Sequence, residues 1–154
     1  MSYFNIAQEG HVVSILPPVD INGGKVADAF SMENWSHASI VITLGVTHST
    51  GSVITLSEST TAAAGTDIGF NMAIEATALG DTLATLTAVP STGFTSSIND
   101  GVIYVIEIDA ADLSAGYPWL CLTLASPGGS TIASAVAILS GGRYACDMSA
   151  TAIA

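Results

Sequence analysis

The sequence predicts an all-β protein, an antiparallel β-sandwich of about eight strands that is jelly-roll-like, with extended N-terminal and C-terminal segments. Apolar residues recur at every second position in one segment after another, which is the period of a half-buried strand. Turn-forming sequences lie between these segments, and the spacing from one strand to the next is roughly 8 to 12 residues, which is typical of sandwiches. Helical patterning is weak, and only residues 110–114 are predicted to form a single helical turn.

The elements follow in chain order. An opening strand is predicted around residues 12–16, ahead of the turn at residues 22–24. In five further segments apolar residues occupy every second position, and polar residues occur at the positions between them. The residues predicted to face the core are Ala38, Ile40, Ile42, Leu44 and Val46; Ile54 and Leu56; Phe70, Met72, Ile74 and Ala76; Val102, Tyr104, Ile106 and Ile108; and Leu120, Leu122 and Leu124.

The last strand differs because both of its alternate sets are largely apolar. Ile132, Val136 and Ile138 belong to one set, while the other set consists of residues 133, 135, 137 and 139, which are three alanines and a leucine. Both faces of this strand could therefore be buried, which predicts a central position in a sheet.

The chain is predicted to hold one domain with distinct ends. Residues 1–30 form an N-terminal segment with a short strand, residues 31–140 form the sandwich, and residues 141–154 form a C-terminal tail. Both ends are either frayed termini or arms that reach a neighbouring subunit. Tyr3, Phe4, Arg143 and Tyr144 are the predicted anchors of such arms, since aromatic residues and arginine are enriched at interfaces.

Composition excludes several classes of partner. The chain has 2 basic and 13 acidic side chains, a formal charge of -11, and only 10% charged residues. So few Lys and Arg residues exclude nucleic acid as a direct partner.

No membrane span is expected, because Pro118 and residues 127–130 interrupt the uncharged stretch 113–142. The N-terminus shows no secretory pattern, so we expect synthesis in the cytoplasm.

No catalytic, cofactor-binding or metal-ligating residues are predicted, and enzyme activity is not expected. His11, His37 and His48 lie at spacings that match no zinc site. Glu75 could be paired with Glu107 or Asp109 as in glycosidases, but outward carboxylates more often keep a surface soluble. Cys121 and Cys146 are expected to be free thiols, although a bridge between them is left open.

A chain with so few charges must expose apolar groups, which usually indicates a partner. Three stretches also resemble small virion proteins of tailed bacteriophages and prophages, of the kind encoded near the major capsid protein. They are residues 32–46 (MENWSHASIVITLGV), residues 105–113 (VIEIDAADL) followed by Gly116 and Tyr117, and residues 135–145 (AVAILSGGRYA).

The resemblance implies a capsid decoration, or cement, protein on the outer capsid surface of the virion. Its expected partners are the major capsid protein and further copies of itself, with a trimer favoured. Neither nucleic acid nor a membrane is an expected partner. Besides the predicted anchors in the two end segments, Trp35, Tyr117 and Trp119 are interface candidates, although either tryptophan could instead be a core residue.

Two other classes remain open. A head or tail fibre module that binds a host glycan or receptor is suggested by the cluster of residues 117–119 beside Asp112. A head-tail connector component is the other possibility, and it would form a ring.

Overall fold

The structure is a computed structural model that describes residues 5–75 and 82–142, and the strands in these ranges form two antiparallel sheets. Along the chain they are β1 (His11–Asp20), β2 (Lys25–Val26), β3 (Phe30–Ser31), β4 (Trp35–Leu44), β5 (Val53–Ser59), β6 (Thr66–Ile68), β7 (Phe70–Glu75), β8 (Thr87–Val89), β9 (Phe94–Thr95), β10 (Ile103–Asp109), β11 (Trp119–Leu124) and β12 (Ile132–Gly142). A short helix, α1 (Ile6–Glu9), precedes β1, and a single 3-10 turn (Ala110–Asp112) follows β10 as expected.

The strand order confirms the predicted jelly-roll-like sandwich. The first sheet has the order β1-β12-β4-β10-β7-β8 and the second has the order β2-β11-β5-β6. Eight strands, four in each sheet, have the strand order of a jelly roll: β1-β12-β4-β10 in the first sheet and β2-β11-β5-β6 in the second. The remaining four segments are additions: β7 and β8 extend the first sheet, β3 pairs with β11, and β9 pairs with β5.

The core lies between the two sheets and contains most of the residues predicted for it. The apolar even-numbered residues of β4, β5, β10 and β11 face inward and are buried. Met72 and Ile74 of β7 pack on the core but stay half-buried, because β7 lies outside the eight jelly-roll strands. Val46 is exposed because β4 ends at Leu44. Cys121 is a buried free thiol, and burial raises its pKa.

The two faces of β12 have unequal environments. The strand lies between β1 and β4, so the predicted interior position in a sheet is correct. Its buried set is the small one, residues 133, 135, 137 and 139, whereas Ile132, Val136 and Ile138 face outward and are half-buried. The expectation that both faces are buried is therefore only half met: the larger aliphatic side chains lie on the outer surface of the sheet.

Strands β1 and β2 lie within the predicted N-terminal segment 1–30 and take part in the two sheets. The opening strand is ten residues long rather than short, and it pairs with β12 at the edge of the first sheet. Residues 25–26 pair with β11 in the second sheet, so residues 11–26 belong to the sandwich. The register shifts near Pro17 and Pro18, and prolines are tolerated at such irregular places on an edge strand. The predicted anchors Tyr3, Phe4, Arg143 and Tyr144 lie outside the described residues.

Candidate functional site

The outer face of the first sheet carries a continuous group of aliphatic side chains, here called the apolar band. Its members are Val12, Val41, Ile103, Val105, Val136 and Ile138. The strand register brings them together: Val136 pairs with Val41, Val41 with Val105, and Val12 with Ile138. Val12 is 51% exposed and the other five side chains are half-buried by their neighbours in the sheet. The band therefore crosses β1, β12, β4 and β10.

The outer face of the second sheet has a different character. At its centre Thr55 and Thr123 form a cross-strand pair, and Trp119 lies opposite Ser59. Val26 and Val53 are exposed at the margins of this face, separated by the threonine pair. The contiguous aliphatic surface is thus a property of the first sheet, and apolar surface of this kind usually marks an interaction site.

One end of the apolar band meets three titratable residues, here called the His37 trio: His37, Glu107 and Asp109. Nδ1 of His37 lies 2.6 Å from Oδ1 of Asp109, and Nε2 lies 2.6 Å from Oε2 of Glu107. The hydroxyl of Ser39 donates to the same Oε2 of Glu107 at 2.6 Å. The register of β4 and β10 produces the cluster, since His37 pairs with Asp109 and Ser39 pairs with Glu107.

The trio favours a positively charged imidazole ring. Burial lowers the pKa of His37, but the hydrogen bonds and charges of Asp109 and Glu107 outweigh burial and raise this pKa above 6.5 overall. Both ring nitrogens can donate only in the imidazolium form, and each has a carboxylate oxygen to receive its hydrogen bond. The trio is therefore a paired cation between two anions.

While His37 is an imidazolium, the trio is a set of stabilising contacts rather than a nucleophilic triad. Ser39, His37 and Asp109 occur in the spatial order of a serine-histidine-aspartate triad, and the Ser39 hydroxyl lies 3.4 Å from Nε2 of His37. Glu107, however, binds both the hydroxyl and Nε2. An imidazolium held in this way has no free lone pair with which to take a proton from Ser39.

Sequence reasoning missed this cluster. The sequence suggests Glu107 or Asp109 as an acid to pair with Glu75. Glu75, however, lies in β7 and pairs with Ile103, at the opposite end of β10 from Asp109. His37 occupies the outward set of β4, as Glu107 and Asp109 do on β10. The signal was present in the alternation, but it could be used only once the register of β4 against β10 was known.

A cleft of about 350 Å³ opens at the end of the sandwich near the 3-10 turn. Its walls include Tyr117, which is exposed, together with Glu33, Leu113 and Pro118. Asp112 lines a different cleft, with Phe70 and Val89 among others. The structure therefore does not gather Asp112 with Tyr117 into one pocket.

The remaining interface candidates have different environments. Trp35 is 3% exposed and stacks on His11 with ring centroids 5.9 Å apart, so within this chain it is a core residue, the alternative that the sequence left open. The strand β1 covers Trp35, which is why its large surface is not available for binding. Trp119 is half-buried at the start of β11, between Ser31 and Ser59.

Two features of the described ranges concern metals and membranes. Within residues 5–75 and 82–142, no three His, Cys, Asp or Glu residues are grouped so that they could hold a metal ion. In the same ranges no helix is long and apolar enough to cross a membrane.

Comparison with known proteins gives little similarity. No protein-family model matches the chain, and no curated protein matches it. A solved structure that is similar is the SPBc2 prophage-derived protein YomS, at 11% sequence identity and a TM-score of 0.45. The match covers 84% of this chain and 93% of that chain. A likeness of this degree carries no inference about function.

Proposed function

We propose that the chain is a structural virion protein of a tailed bacteriophage, a capsid decoration or cement protein. In this function it binds the outer surface of the head, contacts the major capsid protein, and stabilises the shell by bridging capsomers. The apolar band on the first sheet is the observation that carries the proposal. The resemblance of residues 32–46, 105–113 and 135–145 to phage virion proteins supports it.

The apolar band is suited to docking because its side chains are only partly covered. Complete burial of a valine side chain contributes about 1.5–3 kcal/mol, so a half-buried valine such as Val41 retains roughly half of that contribution for a partner. A flat sheet face also packs well against another flat surface. Val41, Val105 and Val136 form one row across three strands and would be covered together.

The charge of the chain supports an outside location. A formal charge of -11 repels nucleic acid, which disfavours contact with packaged DNA inside the head. On the outside, each subunit that bridges capsomers adds contact area that must be lost before the shell opens. Many identical bridges act together, so modest affinity at each contact stabilises the whole head. Self-association, most simply as a trimer, belongs to this proposal.

Co-sedimentation with phage heads that lack the decoration protein tests the proposal. The double substitution Val41→Thr with Val136→Thr keeps side-chain shape and strand propensity but adds a hydroxyl to the centre of the band. We expect it to weaken binding at least about tenfold, since each hydroxyl must be desolvated on docking. The matched control, Val26→Thr with Val53→Thr, makes the same chemical change on the second sheet and should leave binding unchanged.

Binding that is lost in the control and retained in the band variant would overturn the assignment of the docking face. Absence of binding by the unaltered chain to heads would overturn the decoration function itself. Stable ring-shaped oligomers of the purified chain would instead favour a head-tail connector component.

The cleft beside Tyr117 supports a second candidate function, a fibre module that binds a host glycan. Exposed Tyr117 and Glu33 both line this cleft, and an aromatic ring with a few polar groups in a cleft suits a small ligand such as a sugar. Binding to a glycan array that Tyr117→Ala abolishes, without any binding to heads, would favour this candidate over the decoration protein.

A further inference from the structure

We propose that docking by the apolar band depends on pH and that the His37 trio senses it: the band docks while His37 is an imidazolium, and affinity falls when the imidazolium loses its proton. This inference rests on the proposed function, because it concerns regulation of the same face.

The trio and the band form one continuous surface. In the register of the sheet, Ile138 of the band pairs with Ser39, and Ser39 pairs with Glu107. His37 and Asp109 form a cross-strand pair two residues further along the same strands, on the same outer face. A flat partner that covers Ile138 therefore also covers the trio or borders on it.

The groups that face His37 are mostly acidic. Glu107 and Asp109 approach it from β10, and Asp112 of the 3-10 turn accepts a hydrogen bond at 3.3 Å from the backbone N–H of Asp109. From β12 the residue in register with His37 is Ser140, which is uncharged.

The described part of the chain supplies little other positive charge to this face. Lys25 lies in β2 of the second sheet, and Arg143 lies outside the described residues. The imidazolium is accordingly the cation that balances the carboxylates of Glu107 and Asp109 within residues 5–75 and 82–142.

Docking removes the water that the trio needs when His37 is neutral. The side chains of His37, Glu107 and Asp109 are 35%, 30% and 63% exposed, so water reaches all three before docking. As an imidazolium, His37 donates to both carboxylates and the three groups satisfy one another. After loss of the proton, one ring nitrogen is an acceptor that faces a carboxylate oxygen. The Ser39 hydroxyl has a single proton and cannot serve both acceptors, so water must supply the missing hydrogen bond. A docked partner excludes this water, so the neutral state binds less well.

The dependence is reciprocal. If docking requires the imidazolium, then docking must also strengthen the hold of His37 on its proton by the same factor. A tenfold change in the dissociation constant corresponds to a difference of one pKa unit between free and docked protein. The hydrogen bonds and charges of Asp109 and Glu107 hold the pKa of His37 above its ordinary value of 6.5 in the folded chain, so the change is expected above pH 6.5.

The test measures the dissociation constant of the chain for phage heads that lack decoration, from mildly acidic to mildly alkaline pH. For the unaltered chain we expect affinity to fall by about tenfold or more as pH rises. His37→Gln, which is neutral at every pH and still forms hydrogen bonds, should remove this pH dependence. Glu107→Gln removes one of the two carboxylate partners and should move the midpoint to lower pH while binding at acidic pH persists.

His48→Gln is the matched control. His48 lies at the opposite end of the sandwich, where its backbone N–H donates to Thr131, and this variant should keep the full pH dependence. Near-ultraviolet circular dichroism of each variant establishes that it is folded.

Each outcome decides the matter. Binding that is tight but independent of pH in the unaltered chain would overturn the sensor and leave the decoration function standing. A dependence of binding on pH that survives in the His37 variant, or is lost in the His48 variant, would also overturn the sensor. Failure of the unaltered chain to bind heads at any pH would overturn the decoration function, and the sensor with it.

Discussion

The unequal faces of β12 give a sharp prediction about stability. Ala135→Val adds two carbon atoms to a side chain that is fully buried between the sheets, in register with Leu16 and Ile42. Val136→Ala removes two carbon atoms from a side chain that is half-buried on the outer face. The two substitutions are reciprocal in size and adjacent in sequence, so they compare the two faces directly.

The magnitudes follow from the two environments. Extra methyl groups in a filled core cost about 1–3 kcal/mol, because neighbouring side chains must leave their preferred positions. A fully buried methylene contributes about 0.8 kcal/mol, so removing two from a half-exposed site costs about 1 kcal/mol or less. For a chain of this size, 1 kcal/mol corresponds to a shift of about 2–4 °C in Tm.

Urea unfolding followed by near-ultraviolet circular dichroism measures both free energies. We expect Ala135→Val to be the more destabilising change. A loss of about 2 kcal/mol or more for Val136→Ala, with Ala135→Val nearly neutral, would refute the assignment of the alanine set to the core and of the larger aliphatic set to the docking face.

Three further predictions concern single interactions. Tyr104→Phe should lower the free energy of unfolding by about 1–3 kcal/mol, because the backbone N–H of Ser97 loses the hydroxyl it donates to at 2.6 Å. The raised pKa of His37 contributes stability that is fully present below pH 6.5 and is lost as the pH rises through the folded-state pKa, and unfolding measured against pH should show this slope. Gly93→Ala should destabilise by more than about 2 kcal/mol in urea unfolding, because φ is +77° and a Cβ atom would collide with the backbone carbonyl of Ile54.

Controls make these three outcomes specific. Gly128→Ala has a similar φ of +81° but open space around the new atom, and it should cost only about 1–2 kcal/mol. Equal costs for the two glycine variants would contradict the close approach at Gly93. His37→Gln should flatten the pH dependence of unfolding, and an unchanged slope would show that another group causes it. An unchanged free energy of unfolding in Tyr104→Phe would show that the hydroxyl is not needed.

Alternation in the sequence was sufficient for the strands that are covered on one face. In β4 and β10 the inward set is apolar and the outward set contains polar residues such as Ser39 and Glu107, so the core residues could be predicted individually. The same argument could not decide β12, where both sets are apolar. Hydrophobicity alone does not reveal that alanines lie inside, because the space between the sheets is set by Leu16, Ile42 and the strands opposite.

The candidate site depends on the register with which neighbouring strands pair, and the alternation of apolar residues within each strand does not determine that register. Residues of the apolar band are far apart in sequence, and they become neighbours only when β1, β12, β4 and β10 pair in that order. The same holds for the His37 trio. The environment of Trp35 has a related cause: the sequence left open whether this tryptophan is exposed or buried, and only the folded chain shows that His11 of β1 stacks on it.

Electron cryo-microscopy of phage heads decorated with this chain tests the central claim most directly, because it shows both where the subunit binds and which face it uses. The account predicts a subunit on the outer surface whose first sheet faces the shell, with Val41 and Val136 in contact with capsid protein. A subunit that faces the shell with Thr55 and Thr123 of the second sheet, or a chain that is absent from the head, would contradict it.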